Sequence, residues 1–184
     1  MGQKGPVGMK ELFHEIPELY GKRIGLRALS DRDAESLGKL TRERKVYRYL
    51  PTFLFEKQFD DPHEAIRQLY DAGLNDSLIL GIYQGGRFCG LAEMYGYRSP
   101  IRKISVGYRL VEACWGQGIA TETLGMMTDF LLNEKGIEII TASTMIENKA
   151  SARVLEKNGF DRVVHAAEED WGYPEPTIAD KWIR

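Results

Sequence analysis

Cysteine is nearly missing from this chain: its 184 residues include two, Cys89 and Cys114. Two thiols cannot build a disulfide framework, and they are not spaced as metal ligands. Histidine is equally scarce, with three scattered at His14, His63 and His165, so no metal site is expected. Long apolar runs are missing too, and every one falls far short of the roughly 18 residues that a membrane span requires. Nor is there a surplus of positive charge. With 25 Lys and Arg against 27 Asp and Glu, the formal net charge is −2, which argues against nucleic-acid binding driven by phosphate neutralisation. Met1 to Gly8 hold three glycines, one proline and one lysine, with no basic segment followed by an apolar one, so no secretory signal is read there. Residues 1–8 are expected to be a disordered or vector-derived leader, with Met9 as an alternative start, and residues 9–184 to form one domain. A cytoplasmic location, reducing enough to keep two free thiols, is the matching expectation.

What is present is the composition of an ordinary globular domain, 43% hydrophobic and 28% charged. Residues 23–29 alternate enough for a strand, and Ser30 to Asp33 offer a capped helix start. Asp61 caps a second helix with Pro62 at its first position. Residues 78–83, 87–95 and 103–111 then read as consecutive strands, the first two joined at Gln84-Gly85-Gly86 with a hairpin signature. A helix follows from Gly118 to Lys135, stopped by Gly136. Residues 137–144 form a buried β-branched strand, Asn148 caps another helix that Gly159 ends, and residues 160–165 and 177–183 complete the sheet. The antiparallel hairpins and the strand-helix-strand passages predict an α/β fold with a mixed, mostly antiparallel sheet of about seven strands and helices on both faces.

The most informative segment is Trp115-Gly116-Gln117-Gly118-Ile119-Ala120-Thr121-Glu122, where a strand runs through a glycine turn into a helix. Glycines 116 and 118 can take positive φ and let backbone approach a ligand closely. N–H groups converging at a helix N-terminus then form a phosphate cradle. A P-loop is excluded, because no Gly-Lys-Ser/Thr follows. A dinucleotide fingerprint fits poorly, since Thr121 stands where its third glycine belongs and several strands precede the turn. Glycine serving packing alone stays open on this turn by itself.

A second constellation lies 30 residues on, from Asn148 through Ser151 to Glu156-Lys157-Asn158-Gly159-Phe160. Together with Gly107-Tyr108 and the Trp115–Glu122 turn, it resembles the GNAT superfamily of N-acetyltransferases, and within it the RimJ/RimL-like branch. The resemblance covers Arg23 to the C-terminus. It implies a GNAT fold with two splayed parallel strands, 103–111 and 137–144, and acetyl-CoA as co-substrate with no metal. The pyrophosphate would rest on backbone amides at Gly116, Gln117, Gly118, Ile119, Ala120 and Thr121. Main-chain groups of Leu110 and Val111 would hold the pantetheine arm and polarise the thioester carbonyl. Asn148 and Ser151 would face the thiol end of the cofactor, although capping and small-residue packing are open alternatives for them.

Many members carry a Tyr in the last helix that protonates the leaving thiolate, and Leu155 stands at that position here. Ser151 is the replacement donor. The acceptor amine must itself lose a proton, which costs about 4.6 kcal/mol at pH 7 for a lysine-like amine but only about 1 kcal/mol for an α-amino group. Glu93, in the middle of an apolar strand, is the candidate base or amine-binding residue, because desolvation would make its carboxylate more basic. A salt-bridged or solvent-facing strand carboxylate is the alternative. The implied reaction is direct acetyl transfer to a primary amine, either a protein N-terminus or a small molecule. Its rival is a non-catalytic acyl-CoA-binding module. Similar proteins often pair edge to edge, so a homodimer is a further expectation. No direct nucleic-acid or membrane partner is expected. The pocket-shaping stretches 42–59 and 165–175 carry no readable motif.

Overall fold

The computed structural model describes residues 8–184. Its elements, in chain order, are α1 (Met9–Leu12), β1 (Leu19–Tyr20), β2 (Gly25–Arg27), α2 (Ala34–Arg42), α3 (Arg44–Tyr47) and α4 (Pro62–Leu69). After these come β3 (Ser77–Gln84), β4 (Arg87–Arg98), β5 (Lys103–Leu110), α5 (Ile119–Asn133), β6 (Ile139–Met145), α6 (Lys149–Lys157), β7 (Asp161–Glu169) and β8 (Thr177–Ile183). Most of the punctuation read from sequence is observed, although α5 ends at Asn133, before the expected stop at Gly136. Ser30 and Asp33 form a capping box, Asp61 accepts from the His63 N–H at 2.9 Å, and Asn148 accepts from the Ser151 N–H at 3.2 Å. Gly85 and Gly86 take φ of +56° and +79° in the β3–β4 hairpin.

One mixed sheet of eight strands runs through these elements in the order β1-β2-β3-β4-β5-β6-β8-β7. The additional strand relative to expectation is β1, two residues long and paired to β2. Every described pairing is antiparallel except β5 with β6. Helices cover both faces. On one, α5 contributes Leu124, Met127, Phe130 and Leu131 to a core shared with Ala92, Met94, Ile104 and Val106. On the other, α2 and α4 bury Leu37, Leu40, Ile66 and Leu69 against Ile79 and Leu91. Met9, where the domain was expected to begin, is buried, and Phe13 stacks on Phe130 with ring centroids 6.2 Å apart. Of the expected leader, residues 1–7 lie outside the described residues. Among the described residues no helix is long and apolar enough to cross a membrane.

Two irregularities in this sheet position the site. The first is a bulge in β4: Ile82 pairs with Gly90 and Tyr83 with Phe88, which leaves Cys89 without a partner. Side chains alternate along a strand, so one extra residue reverses which face each later side chain meets. The bulge therefore turns Leu91, Glu93 and Tyr95 toward the α2/α4 face. Only glycine fits at position 90, since a Cβ there would lie 2.1 Å from the Arg109 carbonyl oxygen.

The second irregularity is the parallel ladder. It lasts three pairs, Lys103–Ile139, Ile104–Ile140 and Ser105–Thr141. Beyond Ser105 the strands part, β5 staying with β4 as far as Leu110 while β6 pairs with β8.

The start of α5 is held from a distant part of the chain. Glu122 accepts from the Arg23 N–H at 2.8 Å and the Arg23 Nε at 2.9 Å, and the same guanidinium donates to the Gln117 carbonyl at 2.8 Å. Burial alone would push the Glu122 carboxyl up, but the Arg23 N–H, the Arg23 guanidinium and the Ile24 N–H outweigh it and hold it below the ordinary carboxylate value. Its stabilisation is therefore present above the unfolded pKa and is lost as pH falls through the depressed folded one. Glu122→Gln should cost about 1 kcal/mol by urea unfolding at neutral pH, the Arg23 side of the pair being half exposed. The gap to wild type should close in acid. A gap that persisted there would assign the effect to packing instead.

Candidate functional site

The parting of β5 and β6 opens a cleft of about 1080 Å³. One wall is the far half of β5, one end is the glycine turn at the start of α5, and the opposite wall is α6. At the turn, Gly116 and Gly118 take φ of +68° and +77°, and Gly118 is the N-cap of α5. A Cβ on Gly116 would meet nothing within 4 Å, so the backbone faces open space there. A Cβ on Gly118 would meet the Arg23 guanidinium at 3.0 Å. The unpaired N–H groups of the first turn of α5 thus face the cleft with the positive end of the helix dipole behind them. That is an anion site, and it suits a phosphate group.

Most of the expected cofactor residues line this cleft: Leu110, Gly116, Gly118, Ile119, Ala120, Thr121, Asn148 and Ser151. Gln117 and Val111 do not. Gln117 folds back onto its own turn, its amide donating to the Ala113 carbonyl at 2.8 Å. Val111 requires a correction in its main-chain role. Its N–H donates to the Cys89 carbonyl at 2.9 Å and its carbonyl accepts from the Cys114 N–H at 2.9 Å, so both groups are engaged. Because the Val111 N–H points to β4, strand alternation turns the main-chain groups of Leu110 and Tyr108 to the gap. The Leu110 carbonyl already accepts from the Trp115 indole at 2.9 Å, which leaves Tyr108 as the more open of the two. Sequence reasoning missed that role; the strand period counted back from the turn would have found it.

On α6, Leu155 is buried at the position where a phenol was sought. A phenol nevertheless reaches the site from β5. Tyr108 donates its hydroxyl to Ser151 Oγ at 3.1 Å, and burial pushes the Tyr108 phenol up to about 12, against a smaller opposing effect of Ser151. A hydroxyl has one proton and two acceptor positions. Ser151, accepting from Tyr108, keeps its own proton free to donate elsewhere. Cys114, beside the turn, is buried, and desolvation together with Cys89 raises its thiol to about 11. Such a thiol stays protonated at neutral pH and is no nucleophile.

Glu93 faces the cleft from β4, and a buried ionic cluster holds it. Arg109 Nη1 lies 2.7 Å from Glu93 Oε2, and the same guanidinium donates from Nη2 to Glu56 Oε2 at 2.6 Å, with Nε 2.6 Å from Glu56 Oε1 as an ion-pair contact. The side chains of Arg109 and Glu56 are 2% and 0% exposed. Burial alone would lower the Arg109 guanidinium, but the carboxylates of Glu56 and Glu93 outweigh it and keep it charged. Tyr47 completes the cluster by donating to Glu56 Oε1 at 2.9 Å. The cluster has two carboxyl groups and one guanidinium, and Glu93 Oε1 has no hydrogen-bond partner among the described residues. Glu56 and Tyr47 come from the stretch 42–59, where no motif was legible. Of the basic residues of that stretch, Lys45 lines the cleft paired with Glu112 at 2.6 Å, Arg48 stacks on Tyr49 and Lys57 lies over the Tyr47 ring.

The two unreadable stretches meet over the cleft. The Thr52 N–H donates to the Trp171 carbonyl at 2.9 Å, and Tyr173 donates to the Leu50 carbonyl at 2.8 Å. Trp171 donates to Glu169 Oε2 at 2.5 Å, and Asp170 caps its own turn by accepting from the Gly172 N–H at 2.9 Å. Among the described residues no group of His, Cys, Asp and Glu is arranged to hold a metal ion.

Comparison with known proteins agrees with this geometry. A family model described as an acetyltransferase (GNAT) domain matches residues 23–161. The probable N-acetyltransferase YjcK of Bacillus subtilis is 28% identical over 151 residues, 78% of this chain and 83% of that protein. The fold is similar to that of RimL, a ribosomal α-N-protein acetyltransferase solved with coenzyme A, with a TM-score of 0.74, 17% identity, and coverage of 91% of this chain and 97% of the other. It is as similar to spermidine N-acetyltransferase from Vibrio cholerae, solved with CoA and spermine, with a TM-score of 0.73, 18% identity, and coverage of 89% and 96%.

The ionic cluster predicts a specific pattern of stability. Glu56→Ala leaves a buried guanidinium with one carboxylate and should cost about 3–5 kcal/mol in chemical denaturation. Replacing the whole cluster, Glu56→Leu with Arg109→Met and Glu93→Gln, should cost markedly less. A triple variant at least as unstable as the single one would mean that the charges are not the cause.

Proposed function

The chain belongs to the GNAT acetyltransferase family, and on that premise we infer that its cleft transfers an acetyl group from acetyl-CoA to a primary amine by direct attack in a ternary complex. The observation that carries the reading is the parting of β5 from β6 beside the glycine turn, which sets unpaired main-chain groups along one side of a gap and a helix N-terminus at its end. Acetyl-CoA suits that arrangement. The amides from Gly116 to Thr121 would take its phosphates, and the main chain of Tyr108 and Leu110 would hold the pantetheine arm. When bound, it supplies the acetyl group as a reactive thioester. The relatives compared carry acetyltransferase names and lend no support to a non-catalytic acyl-CoA-binding module.

The chain's own residues then have separable tasks. Glu93, with one oxygen tied to Arg109 and the other open, binds the acceptor amine and takes up its proton. Ser151 donates a hydrogen bond from its hydroxyl to the departing sulfur, which leaves as a stabilised thiolate and takes its proton from solvent. Tyr108 is a positioning residue: by donating to Ser151 Oγ it aims the remaining proton into the cleft and polarises it. Asn148 keeps the first turn of α6 in place by capping it, which holds Ser151 at the cleft wall. The reading treats residues 9–184 as a single acetyltransferase domain acting in the cytoplasm, where Cys89 and Cys114 remain unpaired thiols. A homodimer would use the outer strand β7, whose Val163 and Val164 are 57% and 46% exposed.

Release of CoA thiol from acetyl-CoA, measured against N-terminal peptides, amino acids, polyamines and aminoglycosides, tests the reading directly. Binding of acetyl-CoA with silence across all of them would count against it. Glu93→Gln preserves shape and leaves Arg109 paired with Glu56. It should lower turnover about 100-fold while acetyl-CoA affinity by calorimetry stays within about twofold of wild type. Ser151→Ala should lower kcat about tenfold at unchanged KM for acetyl-CoA, Tyr108→Phe by less, and the double variant no further than Ser151→Ala alone. Additive losses would separate Tyr108 from Ser151.

A further inference from the structure

On the face of the sheet that carries Glu93, the charges are sorted along the strands. Glu93 lies opposite Gly107, and four residues back along β5, about 13 Å at the usual strand rise, Lys103 lines the same cleft. Arg98 stands directly across from Lys103 in the β4–β5 register. From the β8 side comes Lys181, opposite Ser143. Lys103 has no carboxylate within salt-bridge distance among the described residues. Burial and Arg98 both lower its pKa, and burial and Lys103 both lower that of Lys181.

The carboxylates that could answer these cations are engaged. Glu169 is paired with Lys181 and also accepts from Ser143 and Trp171, while Asp170 caps its own turn. One end of the trough therefore has a carboxyl in excess, at Glu93 beside Arg109 and Glu56. The other end is lined by Lys103 and Lys181, with Arg98 beside Lys103 in the register, against the carboxylates of Glu169 and Asp170, a surplus of one positive charge.

We propose that the acceptor is itself bipolar: a peptide N-terminus whose α-amine meets Glu93 and whose acidic side chain, two or three residues along, meets Lys103. This rests on the acetyl-transfer reading above and narrows its acceptor class. The spacing suits an extended peptide, in which two to three residues cover about 7–10 Å and the flexible lysine spans the remainder. A free amino acid is too short to reach both ends. A polyamine brings a second ammonium to the cationic end, where like charges repel.

The test compares kcat/KM for four acceptors, Ser-Gly-Glu-Ala-Ala, Ser-Gly-Gln-Ala-Ala, Ser-Gly-Lys-Ala-Ala and spermidine, by thiol release from acetyl-CoA. The glutamate peptide should exceed the lysine peptide and spermidine at least tenfold at low ionic strength, with glutamine between and the spread narrowing as salt rises. Lys103→Gln should flatten the series and Lys103→Glu should invert it, each variant first checked for a wild-type circular dichroism melt. Equal or better use of the lysine peptide or spermidine by the wild type would overturn this proposal alone and leave the transferase reading intact. So would an order unchanged in Lys103→Glu. Silence with all four acceptors would overturn the proposal together with the reading beneath it.

Discussion

Strand β5 has two neighbours and keeps faith with only one of them. It pairs with β4 along nearly its whole length but with β6 over three residues, and the rest of the site depends on that inequality. A parallel ladder left unfinished exposes main-chain donors and acceptors inside the sheet, where they would ordinarily be satisfied. They can stay exposed because the strands draw far enough apart to admit solvent or a ligand. The glycine turn follows at once, so the same strand that offers the unpaired groups also delivers the chain to the N-terminus of α5. On the proposed reading, extended ligand and terminal phosphates would be served by consecutive residues of one segment.

A smaller constraint decides what faces this opening. The unpaired Cys89 and the close approach of Gly90 to the Arg109 carbonyl reverse the alternation of β4. Without that reversal Glu93 would be buried against α5, among Ile104 and Val106, where a carboxyl has no partner. With it, Glu93 meets Arg109, and Arg109 in turn meets Glu56. The guanidinium thus ties a loop of the α2/α4 layer to the strand that borders the cofactor gap. Such a cluster contributes little net stability compared with apolar packing, and its advantage lies in fixing orientation.

Much of this was legible in the sequence because it was written in local signals. Caps at Ser30, Asp61 and Asn148, the Gly85-Gly86 hairpin and the Trp115–Glu122 turn each depend on neighbours within a few residues. The splayed strands followed from the resemblance those motifs carried. What was not legible depends on register. The bulge at Cys89–Gly90 is silent in the residue pattern, since Phe88-Cys89-Gly90-Leu91-Ala92 is apolar throughout. Nothing about Glu56 announces that a strand residue 53 positions away will hold it. The pairing of Tyr108 with Ser151 spans 43 residues and two element types. The stacking of Phe13 on Phe130, a residue of a distant helix, has no local signal either. Val111 was misjudged by a single position, and in a strand a single position exchanges one neighbour for the other.

The clasp between Thr52 and Trp171, and between Leu50 and Tyr173, joins two stretches that lie far apart in the chain and outside both the glycine turn and the start of α6. Together they form a roof whose two halves hold each other through main-chain carbonyls, one met by a backbone N–H and one by a phenol. A roof of this kind can be replaced without disturbing the floor, but only as a pair. A graft carrying one half from a relative would leave a carbonyl of the other half unmet. Changes of acceptor in this lineage would then be expected as linked exchanges at both stretches, with the cofactor floor passing unaltered from one specificity to the next.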